Sequence, residues 1–194
     1  VSVVGEFNKY DGRVHLMEKI GDTGVFELFI PGLAAGCGYM YEIKRQGKGT
    51  TRKLDPVSRQ ISSVPITASV VSDENMSDSY AWNDGLWMIK RKKEAGKKKP
   101  VTVYEVSLTD WLKEKSADEL VDFVKQEGYT HVCFLPVAEY LNEEMNGYST
   151  LGYFAVTHRI GGSDAFKKLV DDCHNAGIGV IIDWNGAYFG TEAK

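Results

Sequence analysis

Residues 101–135 read VTVYEVSLTDWLKEKSADELVDFVKQEGYTHVCFL. The first six are β-branched, aromatic and apolar enough for a strand. Ser116, with Glu119 three positions on, makes a capping box that opens a helix. Ala117, Leu120, Val121 and Val124 supply its apolar stripe, and Gly128 stands where a left-handed residue ends it. Residues 131–135 then read as a second strand. Farther along, Phe166, Leu169, Val170 and Cys173 recur at helical spacing after Ser163. Gly177 closes that helix, and residues 178–183 form a third strand. Strand, helix, strand, helix, strand requires a parallel sheet, because each return passes through a crossover helix. A doubly wound sheet and a β/α barrel both satisfy the pattern. Ser107-Leu108-Thr109-Asp110-Trp111 follows the first strand and carries no G-x-G-x-x-G, which counts against the nucleotide-binding version.

Upstream the periodicity is two. Residues 1–7, Val14 and Leu16, residues 24–30 and residues 39–43 read as short strands, and Gln46-Gly47-Lys48-Gly49 reads as a hairpin turn. Strands at this spacing without a helical period predict a small β-sandwich. Residues 69–99 are polar and end in a Lys-rich run that reads as a solvated linker. Tyr80, Trp82 and Trp87 lie inside it. Tryptophans in a linker predict packing against a flanking domain. Tyr10, Trp82 and Trp87 are also candidates for sugar contact, with core or interdomain packing the preferred reading.

The stretch 136–162 reads as a long loop without secondary structure, a type of connection that usually has a function. It leaves the carboxyl end of a strand, where β/α folds bind ligands. Tyr140, Tyr148 and Tyr153 suit the apolar face of a sugar, or pack the loop internally. Asp183, at the end of the third strand, suits substrate contact or a capping role.

Composition excludes several classes. A net charge of −4 argues against nucleic acid as a partner. No apolar stretch is long enough to span a bilayer, so no membrane partner is expected. Cys37, Cys133 and Cys173 form no C-x-x-C pair and are odd in number, which argues against a disulfide framework or zinc site. Cys133 and Cys173 read as buried small hydrophobes. Reduced thiols suit the cytoplasm. Val1 is not a start methionine, so targeting is left open. His15, His131, His158 and His174 are scattered without ligand spacing. No metal and no cofactor are expected.

Several segments, in order, resemble the glycogen branching enzymes of the α-amylase superfamily. Val1-Ser2-Val3-Val4-Gly5-Glu6-Phe7-Asn8-Lys9-Tyr10 resembles the start of their carbohydrate-binding module, with Tyr10 where the family has Trp. Phe29-Ile30-Pro31-Gly32-Leu33, Tyr39-Met40-Tyr41-Glu42-Ile43 and Leu54-Asp55-Pro56 continue the likeness. Tyr80-Ala81-Trp82 and Leu86-Trp87-Met88 resemble the family's linker. Val103-Tyr104-Glu105-Val106, Gly147-Tyr148, Gly152-Tyr153-Phe154-Ala155, residues 171–180 and Ile182-Asp183-Trp184 resemble the opening of its barrel.

The resemblance implies a multidomain chain. An all-β, immunoglobulin-like sandwich of carbohydrate-binding type would occupy residues 1–70, a linker 71–100, and about the first three strands of a (β/α)8 TIM barrel residues 101–194. It implies transfer of an α-1,4-glucan segment to a 6-hydroxyl in glycogen biosynthesis, by a retaining mechanism. The partner implied is α-1,4-glucan, as glycogen or maltooligosaccharide. Tyr148 matches the tyrosine that stacks beneath the sugar, and Asp183 the aspartate of the first signature region. Tyr188 stands where the family has a substrate-contacting His. The family's nucleophilic Asp and acid Glu lie on later strands. Catalytic residues are therefore expected beyond Lys194 and none before it, so these residues on their own are expected to be inactive.

Departures from the family cluster around the expected sugar site: Ser107 and Tyr140 for His, Asn146 for Trp, Ser149 for Gln, and Asn185-Gly186-Ala187 for Val-Pro-Gly. They leave a second reading open, a non-catalytic, degenerate α-glucan-binding homologue. An incomplete barrel also predicts an open sheet edge, either self-associating or covered by helices.

Overall fold

The computed structural model describes residues 1–62, 66–73 and 80–187. An antiparallel five-stranded sheet dominates the first part. Strand β1 (Ser2–Gly5) pairs with β4 (Gly38–Arg45), placing Val4 opposite Met40. β5 (Gly49–Lys53) pairs with β4 through the expected hairpin turn, where Gly47 and Gly49 both have positive φ. β6 (Ile61–Ser62) and β7 (Ala68–Val70) complete the sheet. β2 (Glu18–Lys19) and β3 (Phe26–Glu27) form a separate two-residue ladder. The strand expected over 24–30 is thus only two residues long. Phe29 is 86% exposed, while Leu28 and Ile30 on either side of it are half-buried.

The connection expected to be a solvated linker holds a helix, α1 (Gly85–Glu94). Its sequence carries no clean apolar stripe, and none of its residues is buried. Tertiary contacts anchor it. Trp87 stacks on His174 with ring centroids 3.6 Å apart, and His174 Nδ1 pairs with Asp84 Oδ2 at 2.7 Å. Asp171 is buried and accepts hydrogen bonds from the Asn83 backbone N–H and side-chain amide. The aromatic linker therefore packs on a flanking unit, as its tryptophans predict.

The parallel pattern is present. β8 (Val103–Val106), β9 (His131–Phe134) and β12 (Gly179–Ile182) form a three-stranded parallel sheet with β9 in the centre. A single-turn helix, α2 (Leu108–Trp111), follows β8 and was not expected; Ser107 caps it. α3 (Ala117–Gln126) carries the Ser116–Glu119 capping box, and α4 (Gly162–Asn175) precedes β12. Leu120, Val124, Val132, Phe134, Phe166, Leu169, Cys173 and Ile178 are buried together between helices and sheet. The opposite face is open, with Val103 and Ile181 exposed. Cys133 lies on that face and is half-buried, which corrects its reading as a core residue.

The stretch 136–162 is structured, against expectation. β10 (Ala138–Tyr140) and β11 (Thr150–Val156) form an antiparallel hairpin. Register shifts on both sides of Glu139 break the period-two pattern that would have revealed it. The hairpin joins the two parts of the chain. Leu151 and Ala155 are buried in the same cluster as Val4, Met40 and Ile61. Gly152 lies against the Ile61 side chain, where a Cβ would clash. Tyr10 packs on this cluster too, with the Arg52 guanidinium 5.5 Å from its ring centre.

Candidate functional site

The carboxyl ends of the parallel strands carry the candidate site. Asp183 immediately follows β12, and its backbone N–H donates to the Phe134 carbonyl at 2.9 Å, continuing the ladder past the strand's last residue. That bond aims its carboxylate off the sheet end.

Tyr148 arrives from the hairpin by a local device. Asn146 and Gly147 are both left-handed, and a Cβ on Gly147 would lie 2.7 Å from the Pro136 carbonyl oxygen. Only glycine allows that approach, and it brings Tyr148 over the strand ends. The Tyr148 hydroxyl donates to Asp183 Oδ2. Through this bond first, and then through burial and the carboxylate's charge, its phenol is pushed up to about 12. It stays protonated and donating throughout the neutral range.

Aromatic rings border the pair. Tyr153 and Trp184 lie 5.1 Å apart, and Trp184 is 62% exposed. With Pro136, Phe154 and Phe166 they line a cavity of about 160 Å³ that also includes Asp183. Apolar rings beside a hydrogen-bonding carboxylate can take up both faces of a sugar, its C–H surface and its hydroxyls.

Of the expected site residues, Tyr148 and Asp183 meet. Tyr188 lies outside the described residues, and so does Lys194, the position beyond which the nucleophile and acid are expected. Among the positions that depart from the family, Ser107, Tyr140 and Asn146 line one small cavity of about 40 Å³, together with Thr109, Asp110, Lys113 and Glu143. By volume it holds a few waters and no sugar ring. Tyr140 is buried, its hydroxyl 3.3 Å from Thr109 Oγ1 and its ring beneath the Arg159 guanidinium at 4.2 Å. Ser149 is also buried.

Two features were missed from sequence. Glu105 and Cys133 are register partners on the open sheet face, and the charges of Glu105 and Asp183 add to burial in raising the Cys133 thiol. The period-two alternation of Val103 and Glu105 was the available signal. Glu139 is the second. Its carboxylate is 1% exposed and accepts from Arg159 Nη1 at 2.7 Å, the Thr157 hydroxyl at 3.1 Å and the His158 backbone N–H at 2.9 Å. His158 Nδ1 also lies 2.9 Å from it. The carboxylate is thus a hub that ties β10 to the turn before α4. A charge set among Pro136, Val137 and Ala138 hints at a buried partner, but nothing in the sequence names Arg159.

Among the described residues, no group of His, Cys, Asp and Glu is arranged to hold a metal ion. No helix of the described residues is long and apolar enough to cross a membrane.

Residues 1–58 match the family Carbohydrate-binding module 48 (Isoamylase N-terminal domain). A 1,4-alpha-glucan branching enzyme of Methylococcus capsulatus is 43% identical over 203 aligned residues, covering 100% of this chain and 27% of its own length. That of Nitrosococcus oceani is 42% identical with the same coverage. In structure, a Salmonella typhimurium protein assigned as an alpha amylase superposes with a TM-score of 0.68 at 26% identity, over 92% of this chain and 29% of its own. The chain spans about a quarter of the length of the curated relatives it matches. By sequence the whole chain is similar to about a quarter of the length of 1,4-alpha-glucan branching enzymes.

Proposed function

We propose that this chain forms the glucan-binding N-terminal part of a 1,4-alpha-glucan branching enzyme. In this reading residues 1–70 are an immunoglobulin-like sandwich, 71–100 connect, and 101–194 open a (β/α)8 barrel whose first strands are β8, β9 and β12. Parallel order with β9 central, and helices on one face only, support that reading. The protein would act in the cytoplasm, in keeping with its free thiols.

One observation carries the proposal: the Tyr148 hydroxyl bound to Asp183 at the carboxyl ends of the parallel strands, beside the exposed Trp184 ring. Tyr148 offers a stacking ring and Asp183 accepts sugar hydroxyls. The activity proposed for the whole protein is transfer of an α-1,4-glucan segment to a 6-hydroxyl, with nucleophile and acid on later strands, beyond Lys194. Calorimetric titration of the 194-residue chain with maltoheptaose tests the binding role. Heat that saturates, and that Tyr148→Ala abolishes, supports it; no heat at millimolar sugar overturns it. A branching assay on the complete reading frame tests the activity.

A second reading has its own support. Ser107, Tyr140 and Asn146 share a cavity too small for a sugar ring. That favours a homologue that binds α-glucan and does not cut it. Glucan binding without branching by the complete protein would decide for it.

The open face bearing Val103 and Ile181, and the outer edges of β8 and β12, which pair with no further strand among the described residues, support self-association of this chain. A monodisperse monomer in light scattering would count against it.

A further inference from the structure

At the opposite, amino ends of the parallel strands lies a wide groove of about 1020 Å³. One wall is α1 and the segment that follows it. The other is formed by Val101, Thr130, His131, Gly177 and Gly179. Lys90, Arg91, Lys92, Lys97 and Lys99 line it. Glu94 is the one carboxylate among the described lining residues, and Lys99 already holds it at 2.6 Å. Residues 90–99 carry seven cations and one anion on a chain whose net charge is −4. The cations are therefore concentrated against an acidic background.

The groove is also apolar. Met88 is 46% exposed, Ile89 54% and Val101 59%. Trp87 forms part of its wall, fixed by its stack on His174, with Arg91 beside the ring. A solvated charge run has no need of three exposed apolar side chains at its two ends, facing the same groove. Apolar surface next to a surplus of cations marks an interaction site whose partner carries both kinds of group.

We propose that this groove docks an acidic segment of a partner protein, one that presents carboxylates to Lys90, Arg91, Lys97 and Lys99 and an aliphatic or aromatic side chain to Met88, Ile89 and Val101. Its concave shape suits an extended chain better than a flat lipid surface. The acidic remainder of the protein repels a long phosphate backbone. Complementary charge would set the rate of encounter and the salt dependence, and the apolar contacts would hold the complex.

The test uses the 194-residue chain and a fluorescein-labelled peptide, Glu-Glu-Phe-Asp-Glu-Leu-Glu, read by fluorescence anisotropy. Saturable binding that weakens with salt is expected. Combined Lys90→Glu, Arg91→Glu, Lys97→Glu and Lys99→Glu should weaken it at least about tenfold. Ile89→Ser should weaken it about threefold. A charge-matched control, Lys9→Glu, Lys19→Glu, Lys48→Glu and Lys125→Glu, should leave it within about twofold. No saturable binding, or equal loss in the control, overturns the proposal. Tighter binding to a single-stranded oligonucleotide or to phosphatidylglycerol vesicles than to the peptide also overturns it. All the substituted residues are exposed, and circular dichroism reports whether each variant is folded.

Discussion

The Tyr148 hydroxyl donates to the Asp183 carboxylate, joining the tip of the hairpin to the end of the third parallel strand across 35 residues of sequence. The bond positions a ring and an acid together without either needing substrate. Tyr148→Phe removes the donor and keeps the ring. It should cost about 1 kcal/mol of stability, the scale for one partly exposed bond to a charged group. Asp183→Asn should cost a similar amount, and the double variant less than the sum. Urea unfolding of the four proteins measures that coupling.

Glu139 is the most consequential buried charge. Glu139→Ala takes the nearest carboxylate from Arg159, whose side chain is only 18% exposed, and leaves it the more distant Glu143 at 3.7 Å. Breaking one half of a buried pair costs about 3–5 kcal/mol. Thermal unfolding should show a large loss, and Tyr140, held under the Arg159 guanidinium, should lose hydrogen-exchange protection with it.

Asp171 pins the segment before α1 to α4. Asp171→Ala leaves the Asn83 N–H without its acceptor and should cost about 1–3 kcal/mol. The expected sign is local: protease cleavage between residues 80 and 95 rises while the parallel sheet keeps its exchange protection.

Gly152 sits where the hairpin meets β6. Gly152→Ala drives a methyl into Ile61. Overpacking of this kind costs about 1–3 kcal/mol. Ile61→Val in the same chain should recover part of the loss in an unfolding titration.

Stability should fall on the alkaline side. Burial pushes the Cys173 thiol from 9.0 up to about 12, and Tyr148 and Tyr41 rise from 10.0 to about 12. Each group keeps its proton longer when folded than when unfolded. Their contribution is complete below about pH 9 and is lost as pH climbs toward 12. Urea midpoints measured from pH 8 upward should decline, and Cys173→Ala should flatten the first part of the decline.

The parallel unit was legible because its signals are local. Ser116 and Glu119 close their capping box within one helical turn. Gly128 and Gly177 carry positive φ where the helices end. The apolar stripe from Phe166 to Cys173 repeats at helical spacing. The hairpin was not legible, because bulges on both sides of Glu139 erase the alternation. Helix α1 was hidden as well. Its stability comes from the stack of Trp87 on His174, and no apolar stripe announces it.

At the site the division is similar. Strand-end position marked Asp183, while residue type marked Tyr140, Tyr148 and Tyr153 alike; the resemblance to the branching enzymes chose Tyr148 among them, and both residues were thus legible in one dimension. Their contact was not, because it depends on a left-handed turn at Asn146 and Gly147 and on how the hairpin folds over β9. The Glu139–Arg159 pair, and the shared cavity of Ser107, Tyr140 and Asn146, arise from packing between distant segments. Local propensity and periodicity act over a few residues and therefore appear in the chain. Burial, register and the meeting of charges are set by long-range contacts, and become definite only when the two parts of the molecule close on a common core.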